Sequence, residues 1–136
     1  MHFTVERKRL VKMIEAVQKK MPGQKRREKT LHLFACSARA FVSANGVTAG
    51  KEALVFEDGG CDLKLDLFLS ILKTYADKPN ITIQADERSL RLFTTTIPIS
   101  NYSKTVVPPA EFVVGHVTDV GLGRINRNRP GNPSMQ

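Results

Sequence analysis

The sequence predicts an α+β domain in which antiparallel strands are interrupted by two amphipathic helices. Apolar residues recur at three-and-four spacing in two windows, around 7–21 and 65–76, which marks two helices with one buried face each. The segments between and after them alternate and end in turn-forming residues such as Asn45-Gly46 and Asp86-Glu87-Arg88, which marks strand meanders. A chain of 136 residues is one domain by size, able to bury about two-thirds of the surface its unfolded form exposes.

His2 to Val5 reads as a short strand feeding the first helix. In that helix Leu10, Met13, Ile14, Val17 and Met21 share one face, and Lys8, Lys12, Glu15 and Lys19 fall opposite. Thr4 is the expected N-cap, Glu6 suits the positive end of the helix dipole, and Pro22-Gly23 is the expected stop. From Thr30 to Ser37, Leu31, Leu33 and Ala35 alternate with His32, Phe34 and Cys36, so this strand is apolar on both faces and should be covered on both. Ala40 to Ala44 is the next strand, and Asn45-Gly46 supplies the positive φ of a tight hairpin. Thr48 to Phe56 should return as a single strand ending at Asp58-Gly59-Gly60.

Cys61 to Leu65 is a short strand before the second helix, whose apolar face is Leu65, Phe68, Ile71, Leu72, Tyr75 and Ala76. Its polar face, Asp66, Ser70, Lys73 and Asp77, is not basic, and Pro79-Asn80 ends it. Ile81 to Ala85 and Ser89 to Phe93 form a hairpin with Ile81, Ile83, Leu90 and Leu92 toward the core. Ile97 to Tyr102 is a further strand, restricted by Pro98 to an edge or a bulge. Pro108-Pro109 breaks the pattern, and Gly115 to Gln136, with four glycines, two prolines and three asparagines, reads as a mildly basic tail.

Charge is the most uneven property of the chain. Arg7 to Lys29 holds ten cations and two carboxylates, a net +8 that equals that of the whole protein, so the remainder is neutral. Four of these cations, Lys25, Arg26, Arg27 and Lys29, fall within the loop after the first helix. Such density is costly by self-repulsion unless an anion or solvent takes up the field. A nucleic-acid backbone is the expected partner, with an acidic protein surface or simple solubility as alternatives. The candidate DNA-binding residues are Lys8, Lys12, Lys19, Lys20, Lys25, Arg26, Arg27 and Lys29.

Catalytic and metal chemistry find little support in the sequence. Asp62 and Asp66 have helix-entry spacing and Asp86 and Glu87 sit in a hairpin turn, so a metal-dependent nuclease is not the expectation. His2, His32 and His116 are scattered, without a carboxylate or cysteine at ligand spacing, and the glycines form no phosphate loop. Phe34, Phe41 and Phe93 read as core or interface aromatics rather than base-stacking platforms. Cys36 and Cys61 read as reduced, buried thiols. No cofactor and no enzymatic activity are expected. No apolar run reaches the ~20 residues of a membrane span and the N-terminus lacks a signal peptide's apolar region, so a cytoplasmic protein is expected.

Particular residues resemble the bacterial DNA polymerase III beta subunit, the sliding clamp. The opening Met1-His2-Phe3-Thr4-Val5-Glu6-Arg7, the run Leu63-Lys64-Leu65-Asp66-Leu67-Phe68, the Ile81 to Phe93 hairpin and the closing Pro109-Ala110-Glu111-Phe112 are all similar to that family's first domain. The resemblance implies a DNA clamp-like domain over 1–112, two helices side by side on one face of curved antiparallel sheet, with 113–136 as a C-terminal tail. It also implies a role in DNA replication, in a homo-oligomer that touches double-stranded DNA without reading sequence. Carried over by position, Lys8, Lys12 and Lys19 would line a hole and Lys25, Arg26 and Arg27 would reach toward the duplex.

Two features depart from the family. A clamp chain has three such domains, so a ring of this one would need six copies, and Asp66 and Asp77 stand where a clamp usually shows cations to the hole. No residue of the clamp's peptide groove is carried over, because other domains chiefly build it. The alternative expectation is a clamp-fold module that self-associates or docks on a replication protein without encircling DNA.

Overall fold

The computed structural model describes residues 1–19, 29–44 and 46–109. Two helices and ten strands follow the order β1 (His2–Glu6), α1 (Arg7–Lys19), β2 (Thr30–Cys36), β3 (Arg39–Ala44), β4 (Val47–Glu52), β5 (Leu54–Glu57), β6 (Gly59–Lys64), α2 (Leu65–Thr74), β7 (Asn80–Ala85), β8 (Ser89–Leu92), β9 (Thr95–Pro98) and β10 (Ser100–Ser103). The strands form two antiparallel five-stranded sheets, ordered β5-β1-β7-β8-β9 and β10-β6-β2-β3-β4. The fold is α+β, as the sequence predicts.

The helices pack side by side, α1 also against β1, β3 and β4 and α2 against β6. One apolar core joins both layers. Leu10, Met13, Ile14 and Val17 of α1 are buried with Leu65, Phe68, Leu69 and Leu72 of α2 against Phe3, Val5, Leu31, Leu33, Ile81, Ile83, Leu90 and Leu92. Apart from Leu69, the residues named here are ones that the helical and alternating patterns of the sequence select. Strand β2 is covered on both faces, since Phe34 and Cys36 are buried opposite the core face, where Phe34 stacks on Phe41 at 4.9 Å and 15°. Gly50 makes that packing possible, because a Cβ there would lie 2.6 Å from Phe41 Cδ1.

The β3–β4 hairpin forms as expected, with Ala44 opposite Val47 and Gly46 at φ 79°. Other expectations are corrected. Thr4 is no helix cap: it lies inside β1, where its Oγ1 bonds Thr82 Oγ1 at 2.7 Å, and α1 starts at Arg7 with its first amide donating to the Pro79 carbonyl at 2.9 Å. Thr48 to Phe56 is two strands rather than one, divided at Ala53, whose amide donates to the Ala38 carbonyl as the chain passes from one sheet to the other. Gly59 and Gly60 begin β6 instead of closing a turn, pressed against Met1 and Phe34.

Ile97 to Tyr102 likewise divides, β9 forming an edge of one sheet and β10 an edge of the other. Pro98 accordingly sits on an edge strand, as its missing N–H requires. Helix α2 ends at Thr74, so Ala76 is exposed and Leu69 takes a core place instead. The expected stop at Pro22-Gly23, the core residue Met21, Asn45 and the expected tail lie outside the described residues. Cys36 and Cys61 are free and buried.

Candidate nucleic-acid interface

Helix α1 sorts its side chains cleanly. With Leu10, Met13, Ile14 and Val17 buried, Lys8, Lys12 and Lys19 are exposed on the opposite side. At 100° and 1.5 Å per residue the three share an arc of about 40° and a row of about 16 Å. None of them makes an ion pair with another described residue. Arg9 does, bonding Glu6 at 3.0 Å and reaching Glu52 at 3.9 Å, and Arg7 is half-buried. Among the described residues, the exposed cations of α1 without an ion pair are thus the three lysines.

Glu15, the one acid in that row, is engaged by Lys73 of α2 at 3.3 Å. That pair ties the two helices at their surface and offsets part of the acid's charge beside the row. The sequence places Lys73 on a helix with no basic bias, and its pairing with Glu15 becomes visible only when the helices pack. The acids of the second helix are also fewer than expected. Asp77 lies beyond the end of α2 at Thr74, leaving Asp66 in the first turn, where a carboxylate suits the helix dipole.

Lys29 is half-buried, and its carbonyl accepts from the first amide of α2, that of Leu65, at 2.9 Å. Lys20, Lys25, Arg26 and Arg27 lie outside the described residues.

The aromatics divide by burial. Phe34 and Phe41 are interior, whereas Phe93 is 40% exposed, with φ 55° at the β8–β9 turn, against Tyr75 at 4.7 Å and under Lys78 Nζ at 5.7 Å. The Tyr75 hydroxyl bonds Thr94 and Thr95, which stabilises the phenolate and lowers its pKa.

Two of the acids set aside as nuclease ligands, Asp86 and Asp62, have structural partners. Asp86 accepts from the amides of Arg88 and Ser89 at 2.9 and 3.0 Å, and those bonds hold its carboxyl below the usual carboxylate range. His32, which has no carboxylate at ligand spacing along the chain, acquires one through strand pairing. The β2–β6 register sets it directly opposite Asp62, thirty residues along the chain, and its Nδ1 donates to Asp62 Oδ1 at 2.7 Å. Asn101 Nδ2 donates to the other oxygen at 2.8 Å. Among the described residues no three His, Cys, Asp or Glu side chains converge as a metal site. No helix among the described residues is long and apolar enough to cross a membrane.

No protein-family model and no curated relative matches the sequence. Solved structures do match. The beta clamp of Helicobacter pylori bound to a DNA ligase peptide superposes with a TM-score of 0.63 at 16% identity, over 74% of this chain and 31% of that one. Caulobacter crescentus pol III beta gives 0.60 at 18% identity over 90% and 34%, and the Bacillus subtilis DNA polymerase sliding clamp 0.59 at 15% over 80% and 34%. The chain spans about a third of the length of each. At such identities the likeness concerns the fold: two helices and two antiparallel sheets arranged as in a single domain of a bacterial beta clamp.

Proposed function

We propose that this chain is a sliding-clamp-like, non-enzymatic module that binds double-stranded DNA through its phosphate backbone, with 1–112 as the clamp-like domain and 113–136 as a tail. The observation that carries the reading is the row of Lys8, Lys12 and Lys19, exposed and free of ion pairs among described residues while Lys73 pairs with the acid between them. Lys20, Lys25, Arg26, Arg27 and Lys29 extend the same charge along the chain. Point charges on an outward helix face suit phosphates and carry no means of reading bases. A cytoplasmic setting in DNA replication belongs to this reading.

Binding of a labelled duplex should weaken as salt rises, with the same slope for unrelated sequences. Changing Lys25, Arg26 and Arg27 together to Glu should weaken binding sharply and leave the melting temperature unchanged. Equal binding by wild type and variant would remove the loop from the mechanism. Salt-independent binding would remove the phosphate contact altogether.

A second reading, self-association or docking on a replication protein, is favoured by the sheet edges β4, β5, β9 and β10. Sedimentation at several concentrations separates the two. A hexamer would support a ring, and a closed dimer would not.

A further inference from the structure

We propose that the β5 edge is a docking strand for an extended basic segment of another protein, which would add to the sheet as a sixth strand. Among the described residues strand β5 terminates its sheet, paired with β1 on one side and with no strand on the other, while β2 and β3 pass close to it. Leu54 and Phe56, two residues apart and so on the same face, are 61% and 56% exposed. Val55 points the other way and packs against the core. Phe56 rests on the His2 ring of β1 at 4.8 Å, and Leu54 lies opposite Thr4, so this outer face continues onto β1. An open cleft of about 570 Å³ lies at the same end, lined in part by Leu54, Ala53 and Glu52.

The four edge strands differ in how they resist pairing. Strand β9 carries Pro98, β4 carries Lys51, and β10 is Ser-Asn-Tyr-Ser. Strand β5, Leu-Val-Phe-Glu, has no proline, no lysine and two exposed apolar side chains. Of the devices that commonly protect edges, β5 has a short length and a terminal Glu57, but it has no proline or lysine and leaves its apolar outer face uncovered among the described residues. An edge left open in this form suits strand addition, where main-chain bonds supply affinity and alternate side chains supply selectivity.

Charge selects the occupant. From Glu52 to Asp58 the chain holds three carboxylates and no cation, within a protein of net charge +8. Glu52 and Glu57 are exposed and only loosely compensated, by Arg9 at 3.9 Å and by the Met1 ammonium at 3.8 Å. DNA would be repelled here. A second copy pairing antiparallel about a dyad at Val55 would set Glu52 against Asp58, and directly opposed like charges destabilise a sheet. A strand with alternating apolar residues flanked by Lys or Arg meets both the apolar face and the acids.

The test uses the full chain and a labelled nonapeptide alternating valine and lysine, with a valine/glutamate peptide as control. The lysine peptide should bind and the glutamate peptide should not. Binding should weaken at least tenfold in Leu54→Ser/Phe56→Ser and in Glu52→Lys/Asp58→Lys, and remain unchanged in Lys8→Gln/Lys12→Gln/Lys19→Gln. In the wild type, whose folding is not in question, the peptide should slow amide exchange in 54–57. No binding, equal binding by the β5 variants, or slowed exchange at β4 or β9 instead would overturn the proposal. So would a dimer abolished by Leu54→Ser/Phe56→Ser, which would assign the edge to a second copy.

Discussion

Replacing Lys8, Lys12 and Lys19 together by glutamine removes the whole free cationic row of α1 while keeping side-chain length. All three are exposed and make no ion pair with a described residue, so the fold should lose no more than about 0.5 kcal/mol per site. The effect on DNA should be far larger. If each lysine neutralises one duplex phosphate, the slope of log affinity against log salt falls in magnitude by about 0.9 per residue, about 2.7 for the triple variant. Between 50 and 200 mM salt that slope corresponds to about a 40-fold loss of affinity in the wild type that the variant lacks. Fluorescence anisotropy of a labelled duplex, titrated at four salt concentrations, reads it directly. Parallel lines with equal affinities for the two proteins, at unchanged melting temperature, would show that α1 does not face phosphate and would refute the argument from the lysine row.

Two further predictions concern the frame that holds this surface. Gly50→Ala should destabilise by about 1–3 kcal/mol in urea unfolding, because the new Cβ meets the fully buried Phe41 ring at 2.6 Å; an unchanged midpoint would show that the ring can move. Cys61 is fully buried, and burial pushes its thiol up to about 12 from 9.0. The folded state therefore retains a proton that the unfolded state releases above pH 9, so this contribution to stability is complete below pH 9 and is lost as pH rises toward about 12. Wild type should lose more stability than Cys61→Ala between pH 8 and 10.5, and equal losses would exclude the buried thiol as the source.

Local pattern determines much of this protein. The buried faces of both helices, the alternation in β7 and β8 and the hairpin at Gly46 follow from side-chain spacing and backbone sterics alone, since a 3.6 or 2.0 period fixes which residues share a face. The cationic helix face was legible for the same reason: Lys8, Lys12 and Lys19 fall opposite Leu10, Ile14 and Val17 whatever the helix packs against. Sheet membership was not. Ala53 and Ile99 are places where an alternating run leaves one sheet for the other, and alternation is the same on either side because it records faces, not hydrogen-bonding partners. Tertiary pairing also decided that His32 meets Asp62, that Lys73 pairs with Glu15, and that Leu54 and Phe56 end on an open edge. Each joins groups far apart in the chain or depends on which strand lies alongside, and those relations exist only once the two sheets and two helices have closed on their common core.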